Sequence, residues 1–510
     1  MKKIVMIISI FSILIGLYAC DSLKDYTEDI LALEADVLSA IPNHINADFE
    51  FSELDEYDVT FTWKEKATKD VFRYVSPFYD EEGILYVTIK RGKTEKTFHK
   101  IITLLSYESG YNQNVMYLDL DVSIDAVTKE TYERVSVKIE TVKNGQRVID
   151  HETSEAGLRG RGNSTWFVYE KKPFRLRFDK NTSVLGMKEA KNYVLLAEYA
   201  DKSLIRNVIT QKMASRFSTI NYALDVRFVE LYVNNDYRGV YVLTEHVENH
   251  PNKLNLASIA GTLNTHYFFE LDMRFYEQNE VEGFDWFLVD RHAYQIKDPD
   301  PDELLYTGQH TNYLASKMYE LEEALIQKQG YQQLLNVNQA IDFFLIHEIS
   351  KNVDVGWSSV FMIKRQNGPI EYGPLWDFDF AYGNADYIDY GPENWYGMRT
   401  WKNRMFILMM QIPEIRTQFK ERFHMFYEDI LPDVIALIET LGTSLNESAE
   451  RNFTRWPILT SYIWPNPWQM VNRTTYSEQI SYVRGYVMDR TSWMRIEMNT
   501  SRYTQGIFGD

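Results

Sequence analysis

The positions in this chain best suited to chemistry are two carboxylates one residue apart in an apolar run, Leu375-Trp376-Asp377-Phe378-Asp379-Phe380-Ala381. On a strand, side chains two apart share a face, so both acids would point the same way and repel each other unless a cation lay between them. Hard oxygen donors with space left for phosphate and water suit Mg²⁺ or Mn²⁺. A half-exposed strand with an acidic outer face, or a structural calcium site, would give the same pattern. Asp354 follows an apolar-periodic helical stretch at 338–350 and falls where helix gives way to loop. An aspartate there could accept a proton from an attacking hydroxyl, or simply serve a turn. His347, on that helix, reads as a packed or surface histidine rather than a ligand.

The cations lie elsewhere. Between residues 157 and 177, Arg159, Arg161, Lys171, Lys172, Arg175 and Arg177 face Glu170 as the sole acid. The run Gly157-Leu158-Arg159-Gly160-Arg161-Gly162 lets backbone approach a ligand closely, and planar guanidinium forks match phosphate oxygens. It has neither the Walker ending nor the G-x-G-x-x-G spacing, so it is a phosphate cradle of another kind or a tight turn on a solvated basic face. Trp456, Trp464 and Trp468, set among prolines, could form a sugar platform or pack into a core.

The elements that must position these residues change character along the chain. Alternating segments around 59–63, 84–89 and 97–105 predict a small β-sandwich over residues 31–110, resembling bacterial immunoglobulin-like domains, with 107–114 as linker. Strands follow at 115–122, 134–140, 174–178, 226–233 and 239–245, the last two as a hairpin, with a helix at 203–216 that Asp201 could cap. Helical periodicity then dominates at 302–328, 338–350, 401–410, 415–430 and 477–498. A β-rich part followed by an α-rich part predicts an α+β domain over 115–500.

The chain has 510 residues, 45% of them hydrophobic and 15% aromatic, enough for two or three cores. A net charge of -19 argues against nonspecific nucleic-acid binding. Cys20 is the only cysteine, so no intrachain disulfide can form. It follows Lys2-Lys3, an apolar run at 4–17 and Tyr18-Ala19, the pattern of a bacterial lipoprotein signal over residues 1–19. Lipidated Cys20 would anchor the chain to a membrane, residues 20–30 would form a tether, and the rest would lie in the cell envelope, at the outer membrane or cell surface.

Six ordered blocks resemble the spore-coat protein H (CotH) kinase family. They are Arg159-Gly160-Arg161-Gly162-Asn163-Ser164-Thr165-Trp166, Lys171-Lys172-Pro173-Phe174-Arg175, Asp201-Lys202-Ser203-Leu204-Ile205-Arg206-Asn207, Gly239-Val240-Tyr241-Val242-Leu243-Thr244-Glu245, Asn352-Val353-Asp354 and Leu375-Trp376-Asp377-Phe378-Asp379. The resemblance implies an atypical protein-kinase-like, two-lobe domain that binds ATP with Mg²⁺ or Mn²⁺ and phosphorylates a protein or glycan acceptor. It implies Asp354 as catalytic base, Asp377 and Asp379 as metal ligands, and Lys172, Arg159, Arg161 and Glu245 near the nucleotide. One position departs: five residues after the catalytic aspartate, where a kinase commonly carries a metal-binding asparagine, this chain has Ser359. A noncatalytic surface module on the same fold is the alternative.

Overall fold

The computed structural model describes residues 24–51, 54–259, 261–274 and 282–508; Cys20, the expected lipid anchor, lies outside them. The chain divides into two units, residues 24–114 with Ile139–Asp150, and Val115–Lys138 with 151–508. No helix among the described residues is long and apolar enough to cross a membrane.

The first unit is built on a five-stranded sheet. Its long hairpin, Glu81–Arg91 with Thr94–Leu104, alternates buried and exposed residues. Leu85, Val87 and Ile89 point inward with Phe61 from Asp58–Trp63. The opposing layer consists of helices Thr27–Ala32 and Glu34–Ala40 plus the two-stranded ribbon Phe49–Glu50 with Val71–Phe72. The expected sandwich is thus one full sheet faced by helices and a ribbon. The expected tether also needs correction: Tyr26 and Ile30 are buried in this core, because the segment is apolar at helical spacing.

A closed barrel follows, with all but the 139–150 portions of its strands in the second unit, in the order Gln146–Gly160, Phe174–Thr182, Ala190–Leu196, Asp236–Glu245, Val226–Val233, Val115–Leu120, Glu133–Lys143. Alternation fixes its faces. Phe174, Leu176 and Phe178 are buried inside, so Arg175 and Arg177 point out, and the register Arg159↔Arg175 and Gly157↔Arg177 puts Arg159 on the same outer face.

The glycines that suggested a phosphate cradle lie mainly at the end of a strand. Gly160 pairs with Phe174, and a Cβ there would run into the Trp166 indole. Gly162, at φ +84, makes the turn that follows. Their demand is therefore met by close packing and a turn rather than by a bound ligand.

A second five-stranded sheet follows, in the order Trp286–Val289, His292–Asp298, Tyr267–Leu271, Val360–Lys364, Ile370–Tyr372. Beside it runs the helix Val337–Ser350, buried along its whole length from Gln339, which is why its sequence is apolar on nearly every side. Helices then complete the unit up to Ser501–Gln505. The chain is α+β.

Candidate active site

The helix Val337–Ser350 stops because Lys351 takes a left-handed conformation at φ 48. Its buried ammonium donates to the Gly391 and Glu393 carbonyls at 2.8 and 2.7 Å, and that purchase holds the turn without a glycine. Asp354 follows in the loop. Its N–H donates to Asn352 Oδ1 at 3.0 Å, and its carbonyl accepts the N–H groups of Trp357 and Ser358. The same Asn352 side chain donates from Nδ2 to the Asp377 carbonyl at 3.1 Å, so one residue joins the two acidic segments.

Asp377 and Asp379 are not on a strand, contrary to the spacing argument. The strand ends at Tyr372, and Asp377 sits at φ 63. Backbone groups that a sheet ladder would have satisfied are taken by side chains instead. The Leu375 carbonyl accepts from Gln211 Nε2 at 2.8 Å, the Phe378 N–H donates to Asn207 Oδ1 at 2.8 Å, and the Ala381 carbonyl accepts from Arg206 Nε at 3.0 Å. All three partners come from the first two turns of the helix Arg206–Ala214, shorter than the 203–216 expected. Asp201 accepts the Arg206 N–H at 2.9 Å and pairs with the Arg206 guanidinium, both side chains fully buried. The block 201–207 thus latches the acidic loop.

Arg161 faces these acids. Its guanidinium lies 5.3 Å from the centre of the Trp376 ring; burial lowers its proton affinity, while Asp377, Asp379 and Glu270 pull the other way. Arg161, Glu198, Asn207, Asp377 and Asp379 line one small pocket of about 20 Å³, room enough for an ion or a water. The carboxylates crowd one another with little positive charge to offset it, which disfavours their charged forms. Burial and then Asp377 push Asp354 up to about 7, burial and then Asp201 push Glu198 up to about 8, and Asp379 is raised by burial, then Asp377. Glu198 Oε2 has no hydrogen-bond partner.

Among the described residues no three acidic or histidine side chains gather at metal-binding distances. The donor set nevertheless suits a hard divalent cation of the Mg²⁺ type, which needs only one or two carboxylates and keeps several waters. An ion-sized cavity, crowded carboxyls and an unpartnered Glu198 oxygen all fit such an ion. Ser359, at φ 60, donates from Oγ to Asp377 Oδ2 at 3.2 Å, so the departing position orients one carboxylate.

The other expected residues separate. Arg159 lies on the outer barrel face, where its Nη1 donates to the Lys129 carbonyl at 3.1 Å and its guanidinium sits 4.9 Å from the Tyr132 ring centre. Arg175 stands opposite Arg159 in register, with its Nε unpartnered. Lys172 donates its ammonium to the Trp166 carbonyl. Its neighbour Lys171 is the buried lysine, bonded to the Val240 carbonyl and to Asn452 Oδ1, and burial lowers it to about 7 against the pull of Glu198. Glu245 does not join the site. It pairs with Tyr193 in register, points into the barrel and accepts the Asp225 N–H at 2.9 Å; the row on the opposite, outer face is Arg175–Val194–Thr244. Glu198, Arg206 and Asn207 were not singled out as site residues by spacing, although 206 and 207 close a block already noted; Ser359 was noted only as a departure.

His347 is fully packed, with both ring nitrogens unpartnered and its ring 4.9 Å from Phe378. Burial lowers it from 6.5 to about 3. The folded state then keeps His347 neutral while the unfolded chain takes up a proton below pH 6.5, so stability present at neutral pH is lost as pH falls towards 3. His347→Phe is expected to gain about 2–3 kcal/mol on the parent chain between pH 7.5 and 4.5, measured by urea unfolding at both. An equal difference at the two pH values would refute the assignment.

Barrel and acidic loop together define an α+β protein whose candidate active site sets Arg161 against a latched pair of aspartates. The model of a protein family described as CotH kinase protein matches residues 158–494, and the chain belongs to that family. A search of curated proteins gives no match.

Proposed function

We propose that this chain is a kinase that transfers the γ-phosphoryl group of ATP to a hydroxyl of a protein or glycan. The observation that carries this reading is the Asn352 bridge, which fixes Asp354 beside the Asp377 loop. Asp354, held with a raised proton affinity, accepts the acceptor's hydroxyl proton as the oxygen attacks phosphorus. Asp377 and Asp379 would hold Mg²⁺ or Mn²⁺, which supplies charge neutralisation for the phosphates. Arg161 adds positive charge at the same place, and Arg159 and Arg175 extend it along the barrel face. On this reading the barrel and the helical part are the two lobes of a kinase-like domain, and the first unit is a spacer. Lipidated Cys20 holds the chain at the cell envelope.

The test is label transfer from γ-labelled ATP with Mg²⁺ or Mn²⁺ to the full chain or an added acceptor. Loss of the chain from the membrane fraction on Cys20→Ser tests the anchor. Ser359 favours a second reading, a noncatalytic binding module, since a serine bonded to Asp377 replaces the kinase asparagine. No label and no ATP-induced thermal shift would establish that reading over the first.

A further inference from the structure

The three tryptophans that could form a platform have different fates. Trp456 is 6% exposed, its Nε1 donates to the Arg238 carbonyl, and it packs in the core. Trp464 and Trp468 are 46% and 65% exposed, alongside Tyr462 at 40% and Tyr387 at 50%. These rings are grouped. Tyr462 and Trp468 lie 5.5 Å apart at 36°, and Tyr387 and Trp464 lie 6.4 Å apart at 31°. Grouped exposed aromatics on a folded chain mark a contact surface.

The frame beneath them is tied to the acidic loop. Buried Asn466 donates to the Ala200 carbonyl and to Asn384 Oδ1, both at 3.0 Å, and Asn384 Nδ2 donates to the Asp379 carbonyl at 2.7 Å. The Trp464 carbonyl accepts from the Tyr169 hydroxyl at 2.7 Å, and the Pro465 carbonyl accepts the Asp386 N–H at 2.8 Å. Lys202 binds the Leu459 and Ser461 carbonyls.

The chemistry of the surface narrows its ligand. The Leu459, Ser461, Trp464 and Pro465 carbonyls are already engaged and the stretch is not a strand, so it is a poor edge for a peptide to extend. The polar group among the rings is the exposed Asp386 carboxylate, which accepts from the Tyr462 hydroxyl at 3.1 Å and would repel phosphate-bearing ligands. Flat π faces beside a hydrogen-bond acceptor suit the C–H face and hydroxyls of a pyranose. We infer that Tyr387, Tyr462, Trp464 and Trp468 dock a neutral glycan. This deepens the proposed function by naming the glycan as the acceptor class.

Binding of neutral β- and α-linked glucose hexaoses and of an N-acetylglucosamine hexaose to the full chain in detergent is the test, followed by calorimetry. Trp464→Ala and Trp468→Ala are each expected to weaken the binding about tenfold, with melting temperature and ATP-induced thermal shift unchanged. No hexaose bound more tightly than about 1 mM, or binding indifferent to both substitutions, would overturn the platform. Preferential binding of hydroxyl-bearing peptides would overturn it too. The two proposals fail separately: glycan binding without any ATP shift or label transfer sinks the kinase reading alone, and an ATP shift without glycan binding sinks the platform alone.

Discussion

Asp354→Asn is expected to lower phosphoryl transfer about 10²- to 10⁴-fold, the usual worth of a positioned general base. The amide keeps the size of the carboxyl and leaves the Asn352 bond to the residue 354 N–H in place, so the loop should hold its shape. It also removes a charge that burial and Asp377 already disfavour. The variant should therefore melt no lower than the parent, and higher if the crowding is costly in the folded chain. Label transfer and thermal melting on the same preparation check both halves. Activity within about threefold of the parent would remove Asp354 from the role of base, and a lower melting temperature would show that the carboxylate is structural.

Arg206→Met is expected to cost about 3–5 kcal/mol of stability in urea unfolding, because it strands the buried Asp201 carboxylate. Asp201 would keep bonds from the Ser203 and residue 206 N–H groups, which places the effect towards the lower end. Transfer activity should fall further than stability alone requires, since the Ala381 carbonyl loses its donor and the acidic loop one of its three ties to the helix Arg206–Ala214. The double variant Asp201→Asn/Arg206→Met separates the two effects. Without the orphaned charge it should recover much of the stability and little of the activity. Recovery of both together would mean that the latch matters only for folding.

Where a pattern is local, the sequence announced the structure closely. The alternation of Phe174, Leu176 and Phe178 with Arg175 and Arg177 announces a strand with one cationic face, and the periodicity at 338–350 and 477–498 matches Val337–Ser350 and Tyr476–Glu497 to within a residue. The ordered blocks placed the chain in its family over residues 158–494. The strands Tyr267–Leu271 and Val360–Lys364 were missed because both are buried on almost every side, and a run that is apolar at nearly every position has little period to read.

Within the candidate site, residue types could mark Asp354, Asp377, Asp379 and Arg161, but not where each side chain points. Whether Lys171 or Lys172 is buried depends on Asn452, 281 positions away, and Glu245 turns inward because of its register with Tyr193. The acidic pair leaves the strand it was expected to form because Asn207, 171 positions distant, takes the Phe378 N–H. Composition and spacing by themselves determined which charges this protein carries and which elements could carry them. Only the tertiary structure decided which charges meet, because buried backbone groups accept partners from anywhere in the chain.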